Sequence, residues 1–208
     1  LPTEIYEDFR NWLLDLPSVA KQCVPRYIFG KGSHIRYVTE NQDCSERHYR
    51  KTPPTENSEL HSFGDWGAYG FGACTYLRFP VEDEKNPYES NLLQASSKVG
   101  PTKETMSTPR KELNGAVMAV KQIKELAKEL GIPKEKCFVH TDSKVALCWI
   151  SKPKQDLKVY VWNRVKVIQD ADINVLYTES ENNPSDLLTK YKKAKEYVNN
   201  EFYLKGPD

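Results

Sequence analysis

The long amphipathic stretch opening at Thr108 constrains this chain more than any other feature. Leu113, Ala116, Val117, Val120, Ile123, Ala127 and Leu130 fall on one helical face. Thr108 reads as the N-cap and Pro109 as the first helical residue, and Gly131 and Pro133 end the pattern. A single helix of this length with one apolar stripe needs an apolar surface to lie on. The flanking segments supply a sheet.

Residues 59–65 and 69–79 read as two strands joined by a hairpin at Asp65-Trp66-Gly67-Ala68, and residues 91–99 as a third. Gly70 and Gly72 suggest a close backbone approach or a bulge. After the long helix, Cys137–Thr141 reads as a short buried strand and Ser143–Ser151 as a helix holding Val145, Leu147, Trp149 and Ile150. Residues 156–171 form another helix with Val161, Val165 and Ile168 inward. Ile173–Tyr177 is a fifth strand, and a last helix begins near Pro184. Three strands, a helix, a strand, two helices, a strand and a helix predict an α/β fold: a five-stranded mixed sheet flanked by helices.

The first 57 residues differ in character. Residues 4–16 predict a helix with Ile5, Phe9, Trp12, Leu13 and Leu16 on one face, stopped by Pro17. Residues 30–58 are polar and turn-rich. The division is therefore a helical and extended N-terminal extension, 1–57, and a compact domain, 58–208. Leu1 in place of an initiator Met suggests a piece of a longer protein.

Composition sets limits. The net charge of +1 gives no bulk argument for a nucleic-acid partner, so any such argument must be local. No apolar run approaches the roughly 20 residues that span a membrane. Five scattered cysteines without a Cys-x-x-Cys pair predict free thiols in a reducing, cytoplasmic setting. Cys23, His34, Cys44 and His48 hold residue types that bind zinc, but their spacings fit no common structural zinc module.

Four acids stand in matching contexts. Asp65 ends the first strand, Glu112 lies one turn into the long helix, Asp142 follows the short buried strand, and Asp186 opens the last helix. Each alone has a bland reading: a hairpin residue, a solvent-face glutamate, an N-cap, or an acid at a helix start. As an ordered set they gather at strand ends, where sites in open sheets form. Clustered carboxylates suit hard divalent ions, and two ions about 4 Å apart hydrolyse phosphodiesters by activating water and stabilising the leaving oxygen. The expected cofactor is Mg²⁺, two ions, with Mn²⁺ as a substitute and no small-molecule cofactor. Between residues 143 and 166, six basic residues face a single acid, Asp156, with Trp149, Tyr160 and Trp162 interleaved. That stretch reads either as a track for a phosphate backbone or as a solvated face over core aromatics.

These residues carry a resemblance. Leu60-His61-Ser62-Phe63-Gly64-Asp65, Ser107-Thr108-Pro109-Arg110-Lys111-Glu112-Leu113, His140-Thr141-Asp142-Ser143, Asn163-Arg164-Val165 and Asn183-Pro184-Ser185-Asp186-Leu187 resemble the ribonuclease H domain of BEL/Pao-type LTR retrotransposon polyproteins. Trp12, Leu16-Pro17 and Pro25-Arg26 resemble the connector that follows the reverse transcriptase of that family. The resemblance implies a ribonuclease H-like fold and a metal-dependent endonuclease acting on the RNA strand of RNA/DNA hybrids during reverse transcription. Asp65, Glu112, Asp142 and Asp186 would be its catalytic metal ligands, with Asp65 on both ions, Glu112 and Asp142 on the leaving-group side, and Asp186 on the water side. Thr108, Arg110, Ser143, Lys144 and Asn183 would contact nucleic acid. It also implies the reverse transcriptase of the same polyprotein as a partner, and a cytoplasmic place that includes virus-like particles. The chain departs from the family at Trp66-Gly67, and its loop before Asp186 has no histidine, only Glu179 and Glu181 as ionisable groups.

Other readings compete. An integrase-like polynucleotidyl transferase would use a final Glu on a helix, whereas Glu179 directly follows a strand. A proofreading exonuclease would need Asp-x-Glu where Asp65-Trp66-Gly67 stands. A catalytically silent connector or duplex-binding scaffold would have no use for all four acids.

Overall fold

The computed structural model describes residues 3–20, 57–68, 70–81, 83–100, 106–190, 192–193 and 196–207. The side chain of Ile5 and the residues of the zinc reading, Cys23, His34, Cys44 and His48, lie outside the described residues. In chain order the main elements are α1 (Thr3–Ala20), β1 (Glu59–Trp66), β2 (Gly70–Pro80), β3 (Tyr88–Val99), α2 (Thr108–Leu130), β4 (Cys137–Thr141), α3 (Lys144–Ile150), α4 (Val159–Gln169), β5 (Asn174–Tyr177), α5 (Asp186–Thr189) and α6 (Glu201–Lys205).

The sheet runs β3-β2-β1-β4-β5. β1, β2 and β3 are antiparallel neighbours, while β4 lies parallel to both β1 and β5. Short connections suit the antiparallel part, and the parallel joins need helical crossovers, which α2 and then α3 with α4 provide. β2 is buried along most of its length, whereas the edge strands β3 and β5 expose much of theirs. Ser97 and Lys98 on β3 blunt one edge against further pairing.

α2 lies across the sheet and buries Leu113, Ala116, Ala119, Val120 and Ile123 against Leu60, Ala73, Leu77 and Val139. Val161, Val165 and Ile168 of α4 complete this main core. A second, smaller core of Phe63, Cys74 and Tyr76, with Leu92 and Leu188 against it, is closed by the C-terminal segment. There the Tyr76 hydroxyl donates to the Tyr203 carbonyl at 2.8 Å, and the Ser90 hydroxyl to that of Lys205.

Several elements differ from expectation. α1 runs through Pro17 to Ala20; proline near a helix end forfeits only one of the last backbone bonds. Ser107, not Thr108, is the N-cap of α2, and its side chain makes no capping bond. β1 continues through Trp66, so the connection to β2 begins only after it, and the Gly67 N–H donates to the Gly70 carbonyl at 2.8 Å. β3 starts three residues early, at Tyr88, because it pairs with the end of β2. Val145 is exposed, while Trp149, Tyr160 and Trp162 pack against the main core. That packing favours the core reading of those aromatics over a base-stacking track. The last helix is only the short α5, with α6 following separately.

Candidate active site

Register places the first two acids. In the parallel pair of β1 and β4, Phe63 stands opposite His140. Two residues further along each chain come Asp65 and Asp142, side by side at the carboxyl ends of the central strands.

Two glycines place the third. A Cβ on Gly64 would sit 2.4 Å from the Gly115 carbonyl oxygen, and one on Gly115 would sit 2.8 Å from the Asp65 backbone. The backbones of β1 and α2 therefore touch directly, which only paired glycines permit. Glu112 lies one helical turn before Gly115 and so shares its face, over the end of β1.

One oxygen each from Asp65, Glu112 and Asp142 lies within 4.8 Å of the others. Asp65 is only 4 % exposed. Among the described residues, Glu112 Oε2 and Asp142 Oδ1 are buried oxygens without a hydrogen-bond partner. Such orphaned acceptors are costly unless something fills their place. Burial, then the neighbouring Asp65 and Asp142 carboxylates, pushes the Glu112 carboxyl up to about 8. Burial, with the Asp186 and Asp142 charges, pushes Asp65 up to about 6, against the opposing hydrogen bond from Thr189. Three hard oxygen ligands, mutual repulsion and unfilled buried acceptors fit a divalent cation.

Asp186 stands at the start of α5, half-buried, near enough for its charge to act on Asp65 and Glu112. Its carboxylate is ion-paired to Lys190, one turn further on. It is not one of the three converging acids.

The expected nucleic-acid contacts scatter in role. Thr108 is exposed, and Arg110 is half-buried with its guanidinium 5.5 Å from the centre of the Tyr160 ring. Ser143 caps α3, accepting from the Ala146 N–H at 3.2 Å. Lys144 is exposed, its Nζ 4.8 Å from the centre of the Tyr177 ring. Asn183 departs from the expected surface contact. It is 1 % exposed, donates to the Gly64 carbonyl at 3.4 Å and accepts from the Ser185 N–H and hydroxyl. A residue so enclosed ties the C-terminal loop to β1 and does not reach a duplex.

Sequence reasoning missed three residues at this site. Gly115 seats α2. Thr189 donates its hydroxyl to Asp65 Oδ2, and Ser180 donates to Asp142 Oδ2 at 2.6 Å. The spacing of Thr189 from Asp186 offered a faint signal, since both lie on one short helix; Ser180 offered none.

Residues 2–143 match the Pao retrotransposon-like RNaseH-like domain. The chain belongs to that family. The match covers Asp65, Glu112 and Asp142 and stops before Asp186. A five-stranded mixed sheet flanked by helices, with acids at its central strand ends, is the ribonuclease H-like fold.

No curated protein matches the chain. Among solved structures it is similar to LC11-RNase H1, isolated from compost by a metagenomic approach, at 15 % identity over 64 % of this chain and 91 % of that one, with a TM-score of 0.41. RNase H1 from the halophilic archaeon Halobacterium salinarum is similar at 8 % identity over 62 % and 90 %, TM-score 0.37. A foamy viral protease-reverse transcriptase, solved with double-stranded DNA, is similar at 13 % identity over 64 % of this chain and 23 % of its own, TM-score 0.35. Among the described residues no helix is long and apolar enough to cross a membrane.

Proposed function

We propose that this domain is a metal-dependent endonuclease that hydrolyses the RNA strand of RNA/DNA hybrids during reverse transcription of a retroelement. The observation that carries the proposal is the convergence of Asp65, Glu112 and Asp142, with two buried carboxylate oxygens left without partners. These three, with Asp186 beside them, would hold two Mg²⁺ ions, or Mn²⁺ in their place. The bound ions would supply an activated water and charge neutralisation at the leaving oxygen.

The chain's own residues do the rest. Asp65 and Asp142 present their carboxylates from two rigid parallel strands, which fixes their separation. Glu112 holds its position through the backbone contact of α2 with β1. Asp186 adds negative charge from the C-terminal segment and shares it with Lys190. Thr108 and Arg110 at the start of α2, with Ser143 and Lys144 at the start of α3, flank two of the acids in sequence and are the proposed contacts to the hybrid. Preference for a hybrid would follow from the 2′-hydroxyls that RNA displays in a wide minor groove. Asn183 serves the site by holding the loop and not by touching substrate. In this reading residues 58–208 are the nuclease, residues 1–57 connect it to a reverse transcriptase of the same polyprotein, and the work is done in the cytoplasm.

The test is cleavage of end-labelled RNA/DNA, RNA/RNA and DNA/DNA duplexes with Mg²⁺. The expected result is cutting of the RNA strand of the hybrid alone, leaving a 3′-hydroxyl. Asp65→Asn and Asp142→Asn should each lower that rate by roughly two orders of magnitude or more while the protein stays folded. Wild-type cutting by either variant would remove the assignment. Tight hybrid binding without cutting, in the unaltered chain, would mark a silent scaffold.

A further inference from the structure

We propose that Thr189 and Ser180 are positioning residues for the acid centre. Each would occupy one oxygen of a central carboxylate, leaving the other to the shared centre. The inference rests on the metal-binding reading above and deepens it.

The geometry is specific. The Thr189 hydroxyl donates to Asp65 Oδ2, and the Ser180 hydroxyl to Asp142 Oδ2 at 2.6 Å. The other oxygen of Asp142, Oδ1, is buried and has no partner among the described residues. Both hydroxyls come from the stretch that also carries Asp186, so one segment delivers an acid and the two donors together. A carboxylate turns easily about its last side-chain bond, where the torsional wells are broad and roughly two-fold. Three acids pressed together would turn away from one another, and a donor fixed behind Asp65 and another behind Asp142 oppose that. Thr189 is buried, so its hydroxyl has little water to bond with and its pairing with Asp65 is strongly held. Ser180 is exposed, so water competes for its bond to Asp142 and its influence should be the smaller.

Partners that orient ligands from behind typically alter metal affinity about 10- to 100-fold. The experiment is thermal melting of the full chain across a titration of Mg²⁺ and, separately, Mn²⁺. It compares the unaltered protein with Thr189→Val, Thr189→Ser, Ser180→Ala and Ser180→Thr. We expect the midpoint of the metal-dependent rise in melting temperature to move about tenfold higher in metal concentration for Thr189→Val. The shift for Ser180→Ala should be smaller, and Thr189→Ser and Ser180→Thr should return to the original midpoint. Reading each midpoint against the variant's own metal-free melting temperature separates metal binding from general stability. Unchanged midpoints in Thr189→Val and Ser180→Ala would overturn the proposal, as would an equal shift in Thr189→Ser. Should Thr189→Val fail to fold, the exposed Ser180 pair of variants decides alone. An unaltered protein that shows no metal shift would sink the metal-binding reading itself, whereas a normal shift with indifferent variants would sink only this inference.

Discussion

Glu112 carries its proton near neutral pH in the metal-free protein, because its folded-state pKa is about 8 against an ordinary 4.5. Between those values the folded state holds a proton that the unfolded chain releases, so stability falls as pH rises through that window. Asp65 adds to the decline from about 3.8 to about 6. His61 and His140, whose burial holds their pKa values below the usual 6.5, act in the opposite direction below that pH. The urea midpoint of the metal-free protein should therefore drop chiefly between about pH 6.5 and 8, and Glu112→Gln should flatten the curve there. A flat profile in the unaltered chain would mean that the acids are better solvated than their burial indicates. At this scale Asp65, Glu112 and Asp142 were legible, because strand ends and an apolar stripe fix where each side chain starts. Thr189 and Ser180 were not, because hydroxyls are common and these reach acids 124 and 38 residues away. Asn183 misled because an Asn-Asn-Pro turn reads as surface, whereas its amide satisfies buried backbone and Ser185.

The contact of α2 with β1 makes an opposed pair of effects at Gly115. Replacing glycine inside a helix by alanine ordinarily gains roughly 1 kcal/mol of helix stability. Here the new methyl would stand 2.8 Å from the Asp65 backbone, and overpacking of this kind costs roughly 1–3 kcal/mol. We expect the clash to win, so Gly115→Ala should lower the urea midpoint and also weaken metal-dependent stabilisation by displacing Glu112. Ser143→Ala tests a different element. It removes the cap on α3 and should cost about 1 kcal/mol in urea denaturation. α2 was legible at its C-terminal end and, to within one residue, at its start, because its stripe and its Pro and Gly boundaries agree. α1 and the C-terminal helices were less so. Pro17 falls within a last turn that tolerates it, and α5 is too short for any periodicity to declare itself.

The second core is held shut by the C-terminal segment. α6 lies on β3, and its Tyr203 carbonyl takes the Tyr76 hydroxyl of the second core. A chain ending at Asn200 should lose roughly 2–4 kcal/mol, read as a lower urea midpoint, because Phe202, Tyr203 and Leu204 each bury part of their surface there. The five strands and their flanking helices were legible as a set, since local periodicity reports which segments are strands. The closure of the second core was not, since it depends on a pairing of Tyr76 with Tyr203 across 127 residues. That closure has a bearing on synthesis. A chain leaves the ribosome from its N-terminus at about 5–20 residues per second, and domains fold as units. Asp65, Glu112 and Asp142 all emerge while Ser180, Asp186 and Thr189 are still to be made. The growing polypeptide thus passes through a stage in which three acids are present without the segment that hydrogen-bonds two of them, and the acid cluster is complete only once residues 180–189 are added.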